Sequence, residues 1–303
     1  MSNDPIGNLL IYHFCFIKEG ARLKLSFTKM HGCGNNYIYF NCFDQTVPDP
    51  ESLSVRLSEP HFGIGGDGII LIFPSDKADA QMRIFNADGS EGKMCGNGIR
   101  CVGKYLYDNG MVDGRTTITV DTLSGVKTLE LTVEDGKMQS ARVDMGAAIL
   151  KPADIPVALE GDTVIGAPIV VDEKVYHMTC VSMGNPHCVI FLDEDIDGLD
   201  LERIGPKFEH HALFPERVNT EFVNTLPDGS LKMRVWERGS GETWACGTGA
   251  CAVGVAAVLT GRAAKGEDIT VHLRGGDLTV RYTDQTVFMT GAATTVFKGE
   301  IEL

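Results

Sequence analysis

At 303 residues the chain is long enough for two domains, each with its own core. Its 43% hydrophobic and 22% charged residues suit a soluble globular protein, and a net charge of −14 argues against nucleic acid or an anionic membrane as partner, since both attract basic surfaces. Nine cysteines, an odd number without even spacing, do not read as a disulfide framework, so the thiols are expected to be reduced, as in the cytoplasm.

The chain begins with an apolar run at 9–17 that His13 interrupts. It falls far short of the ~20 residues a spanning helix needs, and Asp4 rather than Lys or Arg precedes it. Residues 1–22 are read as an N-terminal extension. Short apolar or alternating runs bounded by Gly, Asn and Pro then predict strands at 24–30, 37–40 and 69–73. Later strands are expected at 175–183, 187–192, 220–226, 232–237, 277–283 and 295–303. Helices are fewer: one over 51–58, and another over 199–211 that Gly205-Pro206 should interrupt.

Two further helices each follow a cysteine at a glycine-punctuated turn. From Gly98, residues Ile99, Val102 and Leu106 recur at helical spacing until Asn109-Gly110 stops them. The second runs from Gly249 to Gly261 without a charge, as a buried helix would. Residues 89–98 align without gaps to 240–249, an offset of 151, half the chain. A repeat that long means a duplicated domain rather than a solenoid. Each half therefore starts a buried helix from one cysteine, Cys95 or Cys246. A pseudo-twofold axis would bring the two helix starts face to face.

A helix start presents free N–H groups and the positive end of the macrodipole, which is expected to lower a thiol's pKa below about 8.5. Two opposed thiols can invert a carbon acid: one removes the α-proton, and the other reprotonates the opposite face. The helix N-termini would hold the substrate carboxylate. Other chemistries fit less well. Cys95-x5-Cys101 and Cys246-x4-Cys251 lack zinc-ribbon spacing, and His187 and Cys188 point to opposite faces of a strand. No C-x-x-C motif suggests redox work. The glycine-rich 63–68 lacks the P-loop Lys-Ser/Thr and precedes a strand, so it reads as a turn. Cys33, Cys42, Cys180 and Cys188 read as ordinary core or strand residues, as does Cys15.

Seven motifs in order carry a resemblance: 31–35 (HGCGN), 86–91 (NADGSE), 94–101 (MCGNGIRC), 184–187 (GNPH), 217–219 (RVN), 237–239 (ERG) and 245–249 (ACGTG). From about residue 23 onward the chain resembles the diaminopimelate epimerase family, cofactor-independent epimerases of the lysine and peptidoglycan precursor pathway. The resemblance implies an α+β fold of two pseudo-symmetric domains, each a curved, mostly antiparallel sheet or barrel around a central helix, with the site in the cleft between them. It places one domain at 1–145 plus 292–303 and the other at 146–291. It implies that Cys95 and Cys246 are catalytic and that His187 and Glu237 tune them. Asn35, Asn86, Asn185, Asn219 and Arg238 would hold the substrate, the last four mainly at its distal amino-acid end. Gly96-Asn97 and Gly247-Thr248 would supply backbone donors to the α-carboxylate, and Glu237 would accept from the α-ammonium. No pyridoxal phosphate, metal or nucleotide is implied, and a cytoplasmic homodimer is the family-based expectation. The family often carries glutamine where this chain has Gly68, which removes one side-chain contact to substrate. The alternatives are another two-cysteine racemase, such as a proline or hydroxyproline racemase, and a non-catalytic binding protein of the same fold.

Overall fold

The computed structural model describes residues 23–303. The apolar run at 9–17, the extension and Cys15 lie outside the described residues. The first half holds β1 (Lys24–Gly32), β2 (Asn35–Asn41), α1 (Pro50–Ser58), β3 (Gly68–Phe73), β4 (Ala80–Asn86), β5 (Glu91–Gly92), α2 (Gly96–Asp108), β6 (Thr117–Thr122), β7 (Gly125–Glu134) and β8 (Lys137–Asp144). The second holds β9 (Ala167–Val171), β10 (Lys174–Ser182), β11 (Pro186–Phe191), α3 (Leu201–Glu209), β12 (Asn219–Thr225), β13 (Leu231–Glu237), β14 (Gly241–Thr243), α4 (Gly247–Leu259), β15 (Asp268–Leu273), β16 (Gly276–Tyr282), β17 (Val287–Ala292) and β18 (Thr294–Glu302).

The halves repeat each other's pairings. β2 runs parallel to β3 as β11 does to β12, and the other parallel pair, Ala80 opposite Val120, recurs as Leu231 opposite Val271. Most other contacts are antiparallel, so hairpins and short turns connect them. The halves join edge to edge where β8 pairs β17, with Val143 opposite Met289. The last strand, β18, returns to lie against β1.

Each curved sheet encloses one helix. α2 buries Ile99, Val102 and Leu106, the spacing read in the sequence. α4 is apolar all round, and its Ala250, Cys251, Val253 and Val255 are fully buried. Both helices belong to one apolar cluster that runs through the two halves and includes Met145 and Met289. A second cluster lies under α3 around Phe208, Phe222 and Trp236, and a third under α1 around Phe40, Leu57 and Phe85.

The expected interruption of the third helix does not occur: α3 runs unbroken through Pro206. Proline there forfeits one helical hydrogen bond, and its own carbonyl still accepts the His210 N–H at 3.0 Å where the helix ends. Trp236 packs flat on Gly205, leaving no room there for a side chain. That packing, with Leu201, Ile204 and Phe208 buried, outweighs the lost bond. The meander β6–β8 and the strands β4, β9, β15 and β17 go beyond the runs picked out in the sequence.

Candidate active site

Cys95 and Cys246 are the N-cap residues of α2 and α4, in matching extended conformations (φ −133, ψ 118 and φ −122, ψ 108). A short strand, β5 or β14, and a bend lead into each helix. Cys95 Sγ accepts the Gly98 N–H at 3.3 Å, and its thiol lies 3.3 Å from Asn35 Oδ1. Cys246 Sγ lies 3.5 Å from Thr248 Oγ1.

The two helix starts meet around one side chain, Met289 of β17. A Cβ at Gly96 would stand 2.8 Å from Met289 Cε, and one at Gly247 would stand 3.2 Å from Met289 Sδ. Asn97 of α2 reaches the same place, its Oδ1 3.7 Å from the Cβ position at Gly247. A side chain at Gly96 or Gly247 would have to displace the end of the Met289 side chain, so the two helix ends approach closely around it. The sequence expectation of opposed helix starts is thereby realised.

The expected lowering of the thiols is not. Burial pushes Cys95 up, against the Gly98 and Asn97 N–H groups and the Arg100 guanidinium, which pull it down. Burial pushes Cys246 well up, and the carboxylates of Glu237 and Glu221 add to it. Taking a thiolate out of water outweighs the helix-end dipole, which acts only within the first turn.

Of the other predicted residues, Asn35 and Glu237 face the thiols, and the rest are held by bonds of their own. Asn35 donates to Asp67 Oδ2 at 2.8 Å and takes the Asn97 amide on its Oδ1 at 3.4 Å. Asn97 is held by Arg100 Nη2, which donates to its Oδ1 at 2.9 Å. Glu237, at the end of β13, accepts from the Thr243 hydroxyl and faces Cys246, and burial raises its carboxyl. His187 is fully buried and does not bond Glu237. Its Nδ1 lies 2.7 Å from Glu221 Oε1 and its Nε2 3.1 Å from Asn185 Oδ1. The side chain of Asn219 bonds only backbone, donating to the Pro186 carbonyl at 2.8 Å and accepting the Arg238 N–H at 2.9 Å. Asn86 Nδ2 donates to Ser90 Oγ at 3.1 Å, and Arg238 Nη1 to the Glu216 carbonyl at 3.0 Å.

Gly68, the departure from the family pattern, is dictated by backbone. Its φ is +149°, and a Cβ there would stand 2.1 Å from the Phe85 carbonyl oxygen across the β3–β4 pair. A glutamine does not fit this backbone.

Three neighbours were not picked out in the sequence. Asp67 Oδ2 anchors the β1–β2 turn through Asn35 and the Asn36 N–H at 2.7 Å. Arg100 is fully buried, and Glu221 lies on β12 beneath Cys246. Neither gave a clear signal: Arg100 shares α2 with Lys104 and Asp108, as a polar stripe would, and Glu221 sits among Asn219, Thr220, Asn224 and Thr225 of β12. Among the described residues no group of three or more His, Cys, Asp or Glu could hold a metal ion.

The duplicated sheet, with one helix enclosed in each half, is a fold found in other proteins. Solved structures that share it include a hydroxyproline epimerase of Agrobacterium vitis (TM-score 0.70, 17% identity, covering 92% of this chain and 93% of that one) and a phenazine biosynthesis protein of the PhzF family from Bacillus anthracis (TM-score 0.68, 16%, covering 93% and 100%). The family model described as "Diaminopimelate epimerase" matches residues 27–151 and 179–296, and the chain belongs to that family. Relatives named diaminopimelate epimerase include those of Agathobacter rectalis (55% identical over 92% of this chain and 100% of the relative) and Acetivibrio thermocellus (54%, 92% and 99%). That of Methanococcus maripaludis is 53% identical over 92% of this chain and 100% of its own length.

Proposed function

We propose that this isomerase epimerises LL-2,6-diaminopimelate to the meso form by two thiol bases, without cofactor. The observation that carries the mechanism is the meeting of two cysteine-capped helix starts around Met289. A substrate α-carboxylate set between them meets the N–H groups of Gly96-Asn97 and Gly247-Thr248 and the positive ends of both dipoles. The α-carbon then lies between the sulfurs. One thiolate takes the α-proton, the C–H electron pair passes into the carboxylate-stabilised carbanion, and the opposite thiol gives its proton to the other face. The sulfurs end with exchanged protonation states, so the return reaction uses the same two groups in reversed roles. Glu237 accepts from the α-ammonium.

Asn35, Asn86, Asn185, Asn219 and Arg238 are assigned to substrate binding, the last four mainly at the distal end. Hydrogen bonds already fix the orientation of each, as recognition of a second ammonium and carboxylate requires. Asn219 acts by setting the Arg238 backbone. A domain division at 1–145 with 292–303 and 146–291, a homodimer and a cytoplasmic location belong to the same reading. No helix of the described residues is long and apolar enough to cross a membrane.

The test is incubation of the reduced protein with LL-diaminopimelate in heavy water. Deuterium should enter the α-carbon, and a Cys95→Ala or Cys246→Ala variant should lose epimerisation. No incorporation would sink the activity, and a fully active Cys95→Ala would sink the two-base mechanism. Turnover of proline or hydroxyproline instead would favour the racemase alternative.

A further inference from the structure

The duplication lets matched positions be compared, because the 151-residue offset between Cys95 and Cys246 also relates the strands beneath them. β3 lies between β2 and β4, with Ile70 opposite Ile84; β12 lies between β11 and β13, with Glu221 opposite Val235. Ile70 and Glu221 thus hold one structural position. Each lies under the first turn of its helix. A Cβ at Gly98 would stand 2.7 Å from Ile70 Cδ1, and one at Gly249 would stand 2.6 Å from Glu221 Oε1. The same two points stand 3.5 Å from Cys95 Sγ and 3.3 Å from Cys246 Sγ. One thiol has a methyl group in this place, and the other a carboxylate.

Glu221 is fully buried, and its Oε2 has no hydrogen-bond partner among the described residues. A buried carboxylate oxygen left unpaired is costly, and the fold does not require one here, since the first half is built with Ile70. Nor does the neighbouring position require a histidine. Tyr37 holds in the first half the place of His187 in the second, facing Asn35 as His187 faces Asn185.

We propose that Glu221 is a positioning residue for the reaction, given the two-thiol reading above: it makes the matched thiols inequivalent by setting a buried negative charge beside Cys246. Other buried charges are divided in the same sense. Arg100 stands where the second half has Cys251, and neutral Asn86 where it has Glu237. Cys246 faces Glu221 from β12 and Glu237 from β13, opposed by the Thr248 hydroxyl and the Gly249 N–H of α4, while His187 of β11 bonds Glu221 Oε1. Cys95 faces Arg100 and the Asn97 and Gly98 N–H groups of α2, the Asn35 amide and Tyr37 of β2, and, across the site, Glu237. The negative charge at Glu221 favours the protonated form of Cys246, so the first proton the pair loses leaves from Cys95.

Alkylation by iodoacetamide between about pH 6 and about pH 10, located by mass spectrometry, reads each thiol without turnover. In the wild type the midpoint for Cys246 should lie above that for Cys95. Glu221→Gln keeps the shape and removes the charge. It should lower the Cys246 midpoint by about one unit, roughly a tenfold faster reaction near neutral pH, with Cys95 unmoved. The basic limb of the kcat/KM profile should move down with it. Equal wild-type midpoints, or a cooperatively melting Glu221→Gln with both profiles unchanged, would overturn the assignment. Should Glu221→Gln not fold, the double variant His187→Tyr/Glu221→Ile copies the first half and should bring the two midpoints together; midpoints still separated there would overturn it equally. Failure of the wild type to exchange deuterium would instead remove the two-thiol reading, with the alkylation difference still measurable.

Discussion

Restoring a side chain at Gly68 tests whether the glycine is a backbone necessity or an incidental loss of a substrate contact. At φ +149°, a conformation open almost only to glycine, any L side chain carries strain of about 1–3 kcal/mol. The Cβ would also stand 2.1 Å from the Phe85 carbonyl oxygen, where van der Waals contact needs more than 3 Å. Phe85 is itself fully buried and lies opposite Ile69 in the β3–β4 ladder, so it cannot retreat without parting two core strands. Overpacking of this kind costs about 1–3 kcal/mol more. Gly68→Ala should therefore lose roughly 2–6 kcal/mol of stability. At about 2–4 °C per kcal/mol, its Tm should fall by roughly 4–24 °C in a thermal melt followed by circular dichroism. Gly68→Gln should melt no higher and should not lower KM for diaminopimelate. An alanine variant melting within about 1 °C of the wild type would refute the steric reading. A glutamine variant with improved KM would show that the backbone can yield.

Two further outcomes follow from buried groups. Arg100→Met removes a guanidinium whose hydrogen bonds reach the Gly96 and Ala292 carbonyls and Asn97 Oδ1. At about 1–3 kcal/mol each, the loss should exceed about 3 kcal/mol, read as a lower urea midpoint; an unchanged midpoint would contradict it. Burial raises the Cys101 thiol to about 11 and the Cys251 thiol to about 12. A folded-state pKa raised in this way stabilises the fold fully below the ordinary thiol value of about 8.5. That contribution is then lost as pH rises through the folded values. The melting temperature should therefore fall steadily above about pH 8.5, and Cys101→Ala should fall less steeply; a slope unchanged by that substitution would disprove the attribution.

The parts of the site legible in the sequence were those encoded locally. A cysteine before Gly-x-Gly and an amphipathic or wholly apolar run announces a capped, buried helix, because capping and burial depend on neighbours along the chain. Strands with one polar face, such as β7 with buried Leu129 and Leu131 between exposed neighbours, show no continuous apolar run and were passed over. Pro206 misled for the converse reason. Its local penalty is real, but the Trp236 ring that offsets it comes from a strand some thirty residues on, as the packing against Gly205 shows.

The sequence by itself determined that the chain is a duplication, that each copy sets one cysteine at the start of a buried helix, and that its ordered motifs belong to the diaminopimelate epimerase family. Repetition, spacing and residue type are properties of the chain alone. Only the tertiary structure decided what surrounds each sulfur: that both thiols are raised rather than lowered, that His187 answers to Glu221, and that Gly68 admits no side chain. Desolvation and charge act through space, between groups on strands far apart in sequence, and they take their sign and size from distances that folding alone sets.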